Sequence, residues 1–301
     1  MSEISTILVT GANGLLGREI CITLTQQGYE VFGLVHRETQ NKIVGIKYIS
    51  IDLETDWNVN QLPARVDVVI HLAQSSHFRD FPEKALNVFK VNIASTAKLL
   101  DYSRNNGVKS FLYASSGGVY GNSNQAFNEN SSIVPPGKLG YYLGSKLSGE
   151  VMTQSYTSVF NVNVLRYFFI YGPNQKRGML IPRLMDSVLN HLPITLQGGS
   201  GLRINPIHVK DAAASTIGAI KQDTSAIYNI SGPEILSLKD IGDMMGEYLG
   251  IKPEYQFLPE AAKDLIGDNS AMRKFLYAPE RFLKNNLEEI HRLLIDRPNL
   301  D

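Results

Sequence analysis

The chain has 301 residues with 29 basic and 29 acidic side chains, a formal net charge of +0 and 43% hydrophobic residues. This length buries a sizeable core in one large domain or two lobes, and the balanced charge gives no reason to expect nucleic acid or an anionic membrane as a partner. A single cysteine, Cys21, excludes an intramolecular disulfide framework, and without a charged segment followed by a long apolar one, a cytoplasmic protein is expected.

A glycine-rich loop follows the first predicted strand, Thr6–Thr10, and leads into a helix predicted over Leu15–Gln27. Gly11, Gly14 and Gly17 allow a tight turn, a close approach of the backbone to an anion, and close packing of the helix on the strand. The helix N-terminus adds unpaired N–H groups and a positive electrostatic potential. This combination predicts a site for the pyrophosphate of a dinucleotide cofactor.

The second predicted strand, Glu30–Val35, bears on which dinucleotide binds. A carboxylate at its end would bind the ribose hydroxyls of NAD(H), but the strand runs into His36 and Arg37. Because arginine suits bidentate contact with phosphate, the sequence favours NADP(H) over NAD(H), with a solvated Arg37 as the alternative. Asp52 follows the third predicted strand, Lys47–Ile51, and is expected to accept a hydrogen bond from the adenine amino group or to cap the next turn.

Strands and helices alternate through the rest of the first half of the chain. Further apolar strands are predicted over Val66–Leu72, Ser110–Ser115 and Val162–Tyr167, and helical patterns separate them over Pro82–Asn106 and Tyr142–Ser158. Nearly continuous apolar strands joined by helices indicate a parallel sheet that is covered on both faces. The predicted fold class is therefore α/β, with a Rossmann-like doubly wound parallel sheet.

After Pro173 the pattern changes, and helices dominate the remaining sequence. This change predicts a smaller, mostly helical C-terminal substrate lobe at the carboxyl ends of the strands, where ligands bind in open α/β sheets. The predicted NAD(P)-binding domain covers residues 1–171, with 205–225 returning to it. The predicted substrate-binding lobe covers residues 172–204 and 226–301.

A tyrosine and a lysine lie one helical turn apart in the helix predicted over Tyr142–Ser158. Tyr142 and Lys146 therefore project from the same helix face. A tyrosine has an unperturbed pKa near ~10, and the Lys146 ammonium is expected to favour the phenolate and lower the pKa of Tyr142 towards the working range. Ser116, at the end of a strand, can hold a substrate oxygen while Tyr142 gives or takes its proton.

Together these features resemble the extended short-chain dehydrogenase/reductase superfamily, in particular its NAD(P)-dependent nucleotide-sugar epimerase/dehydratase branch. The resemblance covers nearly the whole chain, and its further motifs are His71–Ala73, Asn92, Leu165–Pro173, Pro206–Asp211 and Tyr228–Gly232. By this resemblance, Ser116, Tyr142 and Lys146 take the catalytic positions. The resemblance also implies a nucleotide-diphosphate sugar as substrate and a homodimer.

The motifs and the resemblance together define the candidate binding residues. Those expected to contact the cofactor are Gly11, Asn13, Gly14, Leu15, Leu16, Gly17, His36, Arg37, Asp52, Leu53, Leu72, Ala73, Asn92, Tyr142 and Lys146. Those expected to contact the substrate are Ser116, Phe169 and Arg203. No cluster of His, Cys and carboxylate side chains has the spacing of metal ligands, so no metal is predicted.

Departures from the family pattern narrow the expected reaction. Dehydratases of this branch carry an acid pair directly after the catalytic hydroxyl residue, where this chain has Gly117 and Gly118, so dehydration is not expected. Phe169 replaces an asparagine that contacts the substrate diphosphate in galactose-type 4-epimerases. Arg203 stands one position away from the diphosphate-binding arginine of those enzymes, and a surface salt bridge is its alternative role.

The predicted function is oxidoreduction at a sugar carbon, C4 in most of this family, of a nucleotide-diphosphate sugar. A 4-keto reductase using NADPH is slightly favoured, because no carboxylate ends the second strand and Phe169 replaces the asparagine. The first alternative is a UDP-glucose 4-epimerase-like enzyme that retains NAD. Further alternatives are a reductase of a non-sugar ketone and a non-catalytic NAD(P)-binding sensor.

Overall fold

A computed structural model describes residues 4–38 and 41–296 of the chain. The strands are β1 (Thr6–Thr10), β2 (Glu30–Val35), β3 (Ile46–Ser50), β4 (Val68–His71), β5 (Ser110–Ser116), β6 (Asn161–Tyr167), β7 (Ile170–Tyr171), β8 (Ile194–Gln197), β9 (Arg203–Ile204), β10 (Ile207–His208), β11 (Ala226–Ile230), β12 (Leu236–Ser237) and β13 (Tyr255–Leu258). The α-helices are α1 (Leu15–Gln26), α2 (Ala85–Phe89), α3 (Ser95–Asn105), α4 (Gly140–Gln154), α5 (Leu180–Leu189), α6 (Val209–Ile220), α7 (Leu238–Leu249), α8 (Ser270–Phe275) and α9 (Leu287–Asp296).

Within the described residues, seven parallel strands form the central sheet in the order β11-β6-β5-β4-β1-β2-β3. The chain adds strands on one side of β1 and then crosses to β4 on the other side, where Thr10 pairs with His71. In doubly wound sheets, this reversal opens a ligand-binding crevice at the carboxyl ends of the strands. The predicted α/β fold is confirmed.

The strands are almost continuously apolar because helices cover both faces of the sheet. On one face, α1 and α6 contribute Ile20, Leu24 and Ile217 to a buried cluster with the sheet. On the other face, Leu99 of α3 packs in a second cluster with Phe111 of β5. Burial of both faces holds the strand ends, and hence the crevice, in one geometry.

Two features differ from the sequence-based expectation. The helix expected over Pro82–Asn106 is α2 followed by a π-helical turn, Lys90–Ala94, and then α3. The sheet also takes in β11, which the predicted boundary at residue 226 assigned to the second lobe, because Tyr228 pairs with Leu165 of β6. The rest of the division into two lobes stays a prediction, and its ends at residues 1–3 and 297–301 lie outside the described residues.

The C-terminal portion is mostly helical and has its own core. Met185 of α5, Ile241 of α7 and Ile290 of α9 are buried in one cluster. The His208 side chain lies 2.5 Å from a Glu289 carboxylate oxygen, which links β10 to α9. None of the helices in the described part of the chain has the length and hydrophobicity needed to cross a membrane.

Candidate active site

The glycine-rich loop between β1 and α1 is shaped for an anion. The amide of Gly14 donates to the carbonyl of Gly11 at 2.9 Å, and Gly14 is the N-cap of α1 without a side-chain cap from the described residues. A Cβ at position 17 would lie 2.2 Å from the Gly11 carbonyl oxygen, so only glycine allows this packing. The helix N-terminus therefore faces the crevice without a competing side chain, and the loop fits a dinucleotide pyrophosphate.

The other predicted cofactor residues of this region have different environments. Asn13 is exposed in the loop and Leu15 is half-buried, while Leu16 and Leu53 are buried in the two core clusters of the sheet. Leu72 and Ala73 follow β4, and their amides both donate to the Thr10 hydroxyl oxygen at 3.1 Å. These bonds hold the carboxyl ends of β1 and β4 together beside the glycine loop.

The edge formed by β2 and β3 brings together His36 and Asp52, two of the predicted cofactor residues. The register pairs Val35 with Ser50, so the residues that follow the two strands come together. Nε2 of His36 lies 3.4 Å from a carboxylate oxygen of Asp52, and the other Asp52 oxygen accepts from the Glu54 amide at 2.9 Å. Asp52 thus caps the following turn, and Arg37 is exposed.

A chain of hydrogen bonds joins β4 to the π-helical turn. The Thr10 hydroxyl oxygen already accepts two amides, so its proton is donated to Nδ1 of His71 at 2.8 Å. Nε2–H of His71 then donates to Thr96 at 2.9 Å, and the Thr96 hydroxyl donates to the Asn92 carbonyl at 2.8 Å. Burial and the nearby Lys146 lower the pKa of His71 to about 3, so the ring is neutral and serves as a structural connector.

Asn92 extends this network to α4, the helix that carries Tyr142 and Lys146. Its side-chain oxygen accepts from the Ser75 amide at 2.9 Å, and its side-chain nitrogen donates to the Ser145 hydroxyl at 2.9 Å. The Ser145 hydroxyl in turn donates to the Tyr142 carbonyl at 2.6 Å. The structure thus places the buried Asn92 where it positions α4, and its contact with a cofactor stays a prediction.

Tyr142 and Lys146 both face the crevice side of α4 but have different partners. The Tyr142 hydroxyl donates to the Gln74 side-chain oxygen at 3.0 Å, and the Phe78 ring packs at 5.2 Å from the Tyr142 ring. Nζ of Lys146, nearly fully buried, donates to the Ala114 carbonyl at 3.0 Å. The phenol is accessible to a ligand, while the ammonium is held against β5.

The pKa values of Tyr142 and Lys146 correct the expectation that the ammonium lowers the pKa of the phenol. The Tyr142 side chain is half-buried, and desolvation of its phenol raises the pKa to about 12, so the predicted lowering of this pKa by Lys146 is wrong. Burial also lowers the pKa of Lys146 to about 8, and the nearby Glu150 carboxylate opposes that fall. The physical reason is that desolvation disfavours both charged forms, the phenolate and the ammonium.

Ser116 ends β5 close to the start of α4. Its hydroxyl oxygen accepts from the Gly118 amide at 3.1 Å and caps the 3₁₀ turn Gly117–Tyr120. A Cβ at position 118 would lie 2.9 Å from Leu143 and 3.3 Å from the Ser116 hydroxyl. Leu143 is the neighbour of Tyr142, so the two predicted catalytic hydroxyls belong to adjoining segments.

The two remaining substrate candidates lie further along the chain. Phe169 is half-buried and adopts a φ of 44°, a left-handed conformation that is unusual for a bulky side chain. Arg203 donates to Asp264 through Nε at 2.8 Å and Nη2 at 2.5 Å, with half of its side chain exposed. Arg203 thus forms a salt bridge, which was the alternative role expected for it. Contacts of Phe169 and Arg203 with a substrate stay predictions.

Several residues of this site were not found from the sequence. Gln74, the partner of the Tyr142 phenol, lies three residues after the end of β4, and a polar residue near a strand's carboxyl end was the available signal. Glu150 and Arg166 form a buried ion pair behind Lys146, which the spacing of Glu150 on the α4 face could have indicated. Within the described residues, no group of three His, Cys, Asp or Glu side chains is placed to hold a metal ion.

Comparison with known proteins identifies the family. The model of the NAD dependent epimerase/dehydratase family matches residues 7–231, most of the chain. The chain belongs to this family, as the glycine loop and the Tyr142–Lys146 helix together indicated.

Individual relatives include both reaction types of the family. The uncharacterized UDP-glucose epimerase of Bacillus subtilis is 27% identical over 309 residues, covering 93% of this chain and 95% of that protein. The dTDP-D-glucose 4,6-dehydratase of Dictyostelium discoideum is 28% identical over 269 residues, covering 79% of this chain and 61% of that protein. The crystal structure of UDP-glucuronic acid 4-epimerase from Bacillus cereus, in complex with NAD, has a TM-score of 0.85 and 27% identity and covers 97% of this chain and 99% of that chain.

The prediction of NADP(H) is wrong, because similar solved structures such as the Bacillus cereus enzyme hold NAD. The sequence argument considered only the end of β2, where His36 and Arg37 stand. The structure shows that β3 delivers the Asp52 carboxylate to the same edge, 3.4 Å from His36. A carboxylate there repels a 2′-phosphate, which is the physical reason for the correction.

Proposed function

We propose that this protein is an NAD-dependent 4-epimerase of a UDP-sugar, with UDP-glucuronate and UDP-glucose as the first substrates to test. The observation that carries the proposal is the Tyr142 phenol, accessible at the same sheet edge as the glycine loop and one turn from Lys146. Similarity to enzymes named as UDP-glucose and UDP-glucuronic acid epimerases supports it. The 4-keto reductase, which the sequence slightly favoured, lacks comparable support.

The surroundings of Ser116 argue against dehydration. A Cβ at position 117 would lie 2.4 Å from the Phe168 ring, and one at position 118 would lie 2.9 Å from Leu143. Phe168 is fully buried, so it cannot move aside without opening the core. The space for the acid pair of a dehydratase is therefore already filled.

Each residue has one part in the proposed reaction. Tyr142 removes the proton of the C4 hydroxyl and later returns it, while Ser116 hydrogen-bonds the same oxygen. The Lys146 ammonium lies one helical turn from Tyr142, where its charge would oppose the desolvation that disfavours the phenolate, and burial of its carbon stem keeps it on that side of α4. The residues of the glycine loop would hold NAD. When bound, NAD would accept a hydride from C4 and later return it.

The test uses purified protein without added nicotinamide. Incubation with UDP-glucuronate or UDP-glucose is expected to give the C4 epimer, followed by ¹H NMR, and denaturation is expected to release NAD, quantified by chromatography. Tyr142→Phe should retain NAD and lose epimerisation. Product that forms only when NADPH is supplied, or binding without turnover that Tyr142→Phe leaves unchanged, would reject the epimerase in favour of a reductase or a sensor.

The homodimer is also a proposal. Apolar side chains are exposed on neighbouring helices, Leu86 and Phe89 on α2 and Val151 on α4, which provides a surface for a second copy. Light scattering coupled to size-exclusion chromatography measures the mass in solution. A monomeric mass at micromolar concentration would contradict the dimer.

A further inference from the structure

A buried ion pair lies behind the catalytic face of α4. Glu150 is fully buried and Arg166 of β6 is 4% exposed. Nε and Nη2 of Arg166 donate to the two carboxylate oxygens of Glu150 at 3.0 and 2.6 Å, and the Ser115 hydroxyl also donates to Glu150. Because two charges lose their hydration in such a pair, it adds little net stability over apolar side chains of the same size. Its position beside the site, rather than stability, gives it a role.

Further contacts, with Tyr120, hold the guanidinium of Arg166 in place. Nη1 of Arg166 donates to the Tyr120 hydroxyl at 2.7 Å, and that hydroxyl donates to the Asn229 side-chain oxygen at 2.9 Å. Tyr120 is also stacked under the guanidinium, 4.7 Å from ring centroid to Cζ. The guanidinium therefore has one orientation, and it holds the carboxylate of Glu150 on the α4 side.

Glu150 follows Lys146 by four residues, as Lys146 follows Tyr142, so the three side chains form one ladder on α4. Lys146 is bonded to the Ala114 carbonyl, next to Ser115, which contacts Glu150. The titratable and charged groups around the ammonium are His71 on β4, Tyr113 on β5, Tyr142 and Glu150 on α4, and Arg166 on β6. Of these groups Glu150 is the one carboxylic acid, since the others are a histidine, two tyrosines and an arginine.

We propose that Glu150 is a positioning residue for Lys146: its carboxylate keeps the buried ammonium charged on the Tyr142 face, and two hydrogen bonds from Arg166 hold that carboxylate in place. The inference rests on the proposed function only for the role of Lys146 in the reaction. A buried lysine without an anion loses its proton readily. The pKa of Lys146, lowered to about 8 by burial and supported by Glu150, has the direction that this arrangement requires.

The experiment reads the charge of Lys146 directly. Protein labelled with [ε-¹³C]lysine is titrated by NMR, and the Lys146 signal is assigned by its loss in Lys146→Arg. In Glu150→Gln, which keeps the size of the side chain, the titration midpoint is expected to fall by about one pH unit. The double variant Glu150→Gln/Arg166→Met removes both charges of the pair, so it should regain the stability lost in Glu150→Gln. Its Lys146 midpoint should still fall, by less than in Glu150→Gln.

A matched control is Asp211→Asn. Asp211 is also fully buried and bound to an arginine, Arg281, but that pair lies at the start of α6. This control is expected to lose stability and leave the Lys146 midpoint unchanged. An unchanged midpoint in both Glu150 variants, with a native circular dichroism spectrum in the double variant, would overturn the proposal. Because the titration needs no substrate, a wild-type protein that epimerises no UDP-sugar would reject the proposed function and not this inference.

Discussion

Phe169 is held in a conformation that its side chain disfavours, so replacing it should have little net effect on stability. A left-handed conformation costs a non-glycine residue about 1–2 kcal/mol, and asparagine tolerates it better than phenylalanine. Against this gain, Phe169→Asn removes a half-buried ring that packs between two clusters. Fully burying such a side chain stabilises a protein by about 1.5–3 kcal/mol, so the half-buried ring contributes about 1 kcal/mol. The two terms nearly cancel, and the free energy of unfolding should stay within about 1 kcal/mol of wild type.

The neighbouring residue offers a matched control. Phe168 is fully buried, has no positive φ and packs on Tyr120, so Phe168→Asn should lose at least about 3 kcal/mol. Urea denaturation followed by circular dichroism measures both variants, with the midpoint compared at equal slope. If Phe169→Asn loses as much free energy as Phe168→Asn, backbone strain at position 169 does not offset the packing and the reasoning fails.

Three further predictions concern the catalytic group, the cofactor loop and acid stability. Tyr142→Phe removes the hydroxyl that we propose transfers the proton, so kcat for epimerisation should fall by about 10²–10⁴-fold at unchanged NAD content. Gly17→Ala places a Cβ 2.2 Å from the Gly11 carbonyl oxygen, so the NAD released on denaturation should drop sharply. Burial alone raises the pKa of Asp67, but Lys109 and two backbone amides outweigh it and lower the pKa to about 2. Asp67 therefore contributes about 2 kcal/mol above pH ~4 that is lost towards pH ~2, and Asp67→Asn should remove this dependence from urea titrations.

Each of these predictions has a control of the same chemistry. Tyr141→Phe, next to the proposed catalytic residue, should keep turnover, and an equal loss in both tyrosine variants would count against the role of the Tyr142 phenol. Gly137→Ala adds a Cβ with no described atom within 4 Å, so NAD content should be unchanged; a loss there would show a general effect of glycine replacement. Asp56 is fully exposed and solvent screens its ion pair with Lys98, so Asp56→Asn should change acid stability far less than Asp67→Asn.

The parts of the fold that depend on local patterns were predictable. The strands β1 and β2 have the predicted bounds, since an apolar run between turn residues indicates a buried strand wherever it occurs. The π-helical turn Lys90–Ala94 was not predicted; it contains Asn92, whose side chain bonds to both Ser75 and Ser145 in other segments. No window of sequence around that helix contains those partners.

The assignment of β11 shows the same limit at the level of domains. The change of pattern after Pro173 correctly indicated a helical C-terminal portion, yet the chain returns to the first sheet through α6 and β11. An apolar segment carries no mark of which sheet it joins. Pairing with β6, which lies far away in sequence, decides it.

By itself the sequence determined the type of sheet, the glycine loop at its reversal point and the candidate trio of Ser116, Tyr142 and Lys146, because spacing and residue type are enough for such short-range features. Only the tertiary structure decided the charges around them. It brought Asp52 to His36, desolvated the half-buried Tyr142 so that its pKa rises, and set the Glu150–Arg166 pair behind Lys146. Electrostatic energy depends on distance and solvent exposure, and both arise when separate segments pack together.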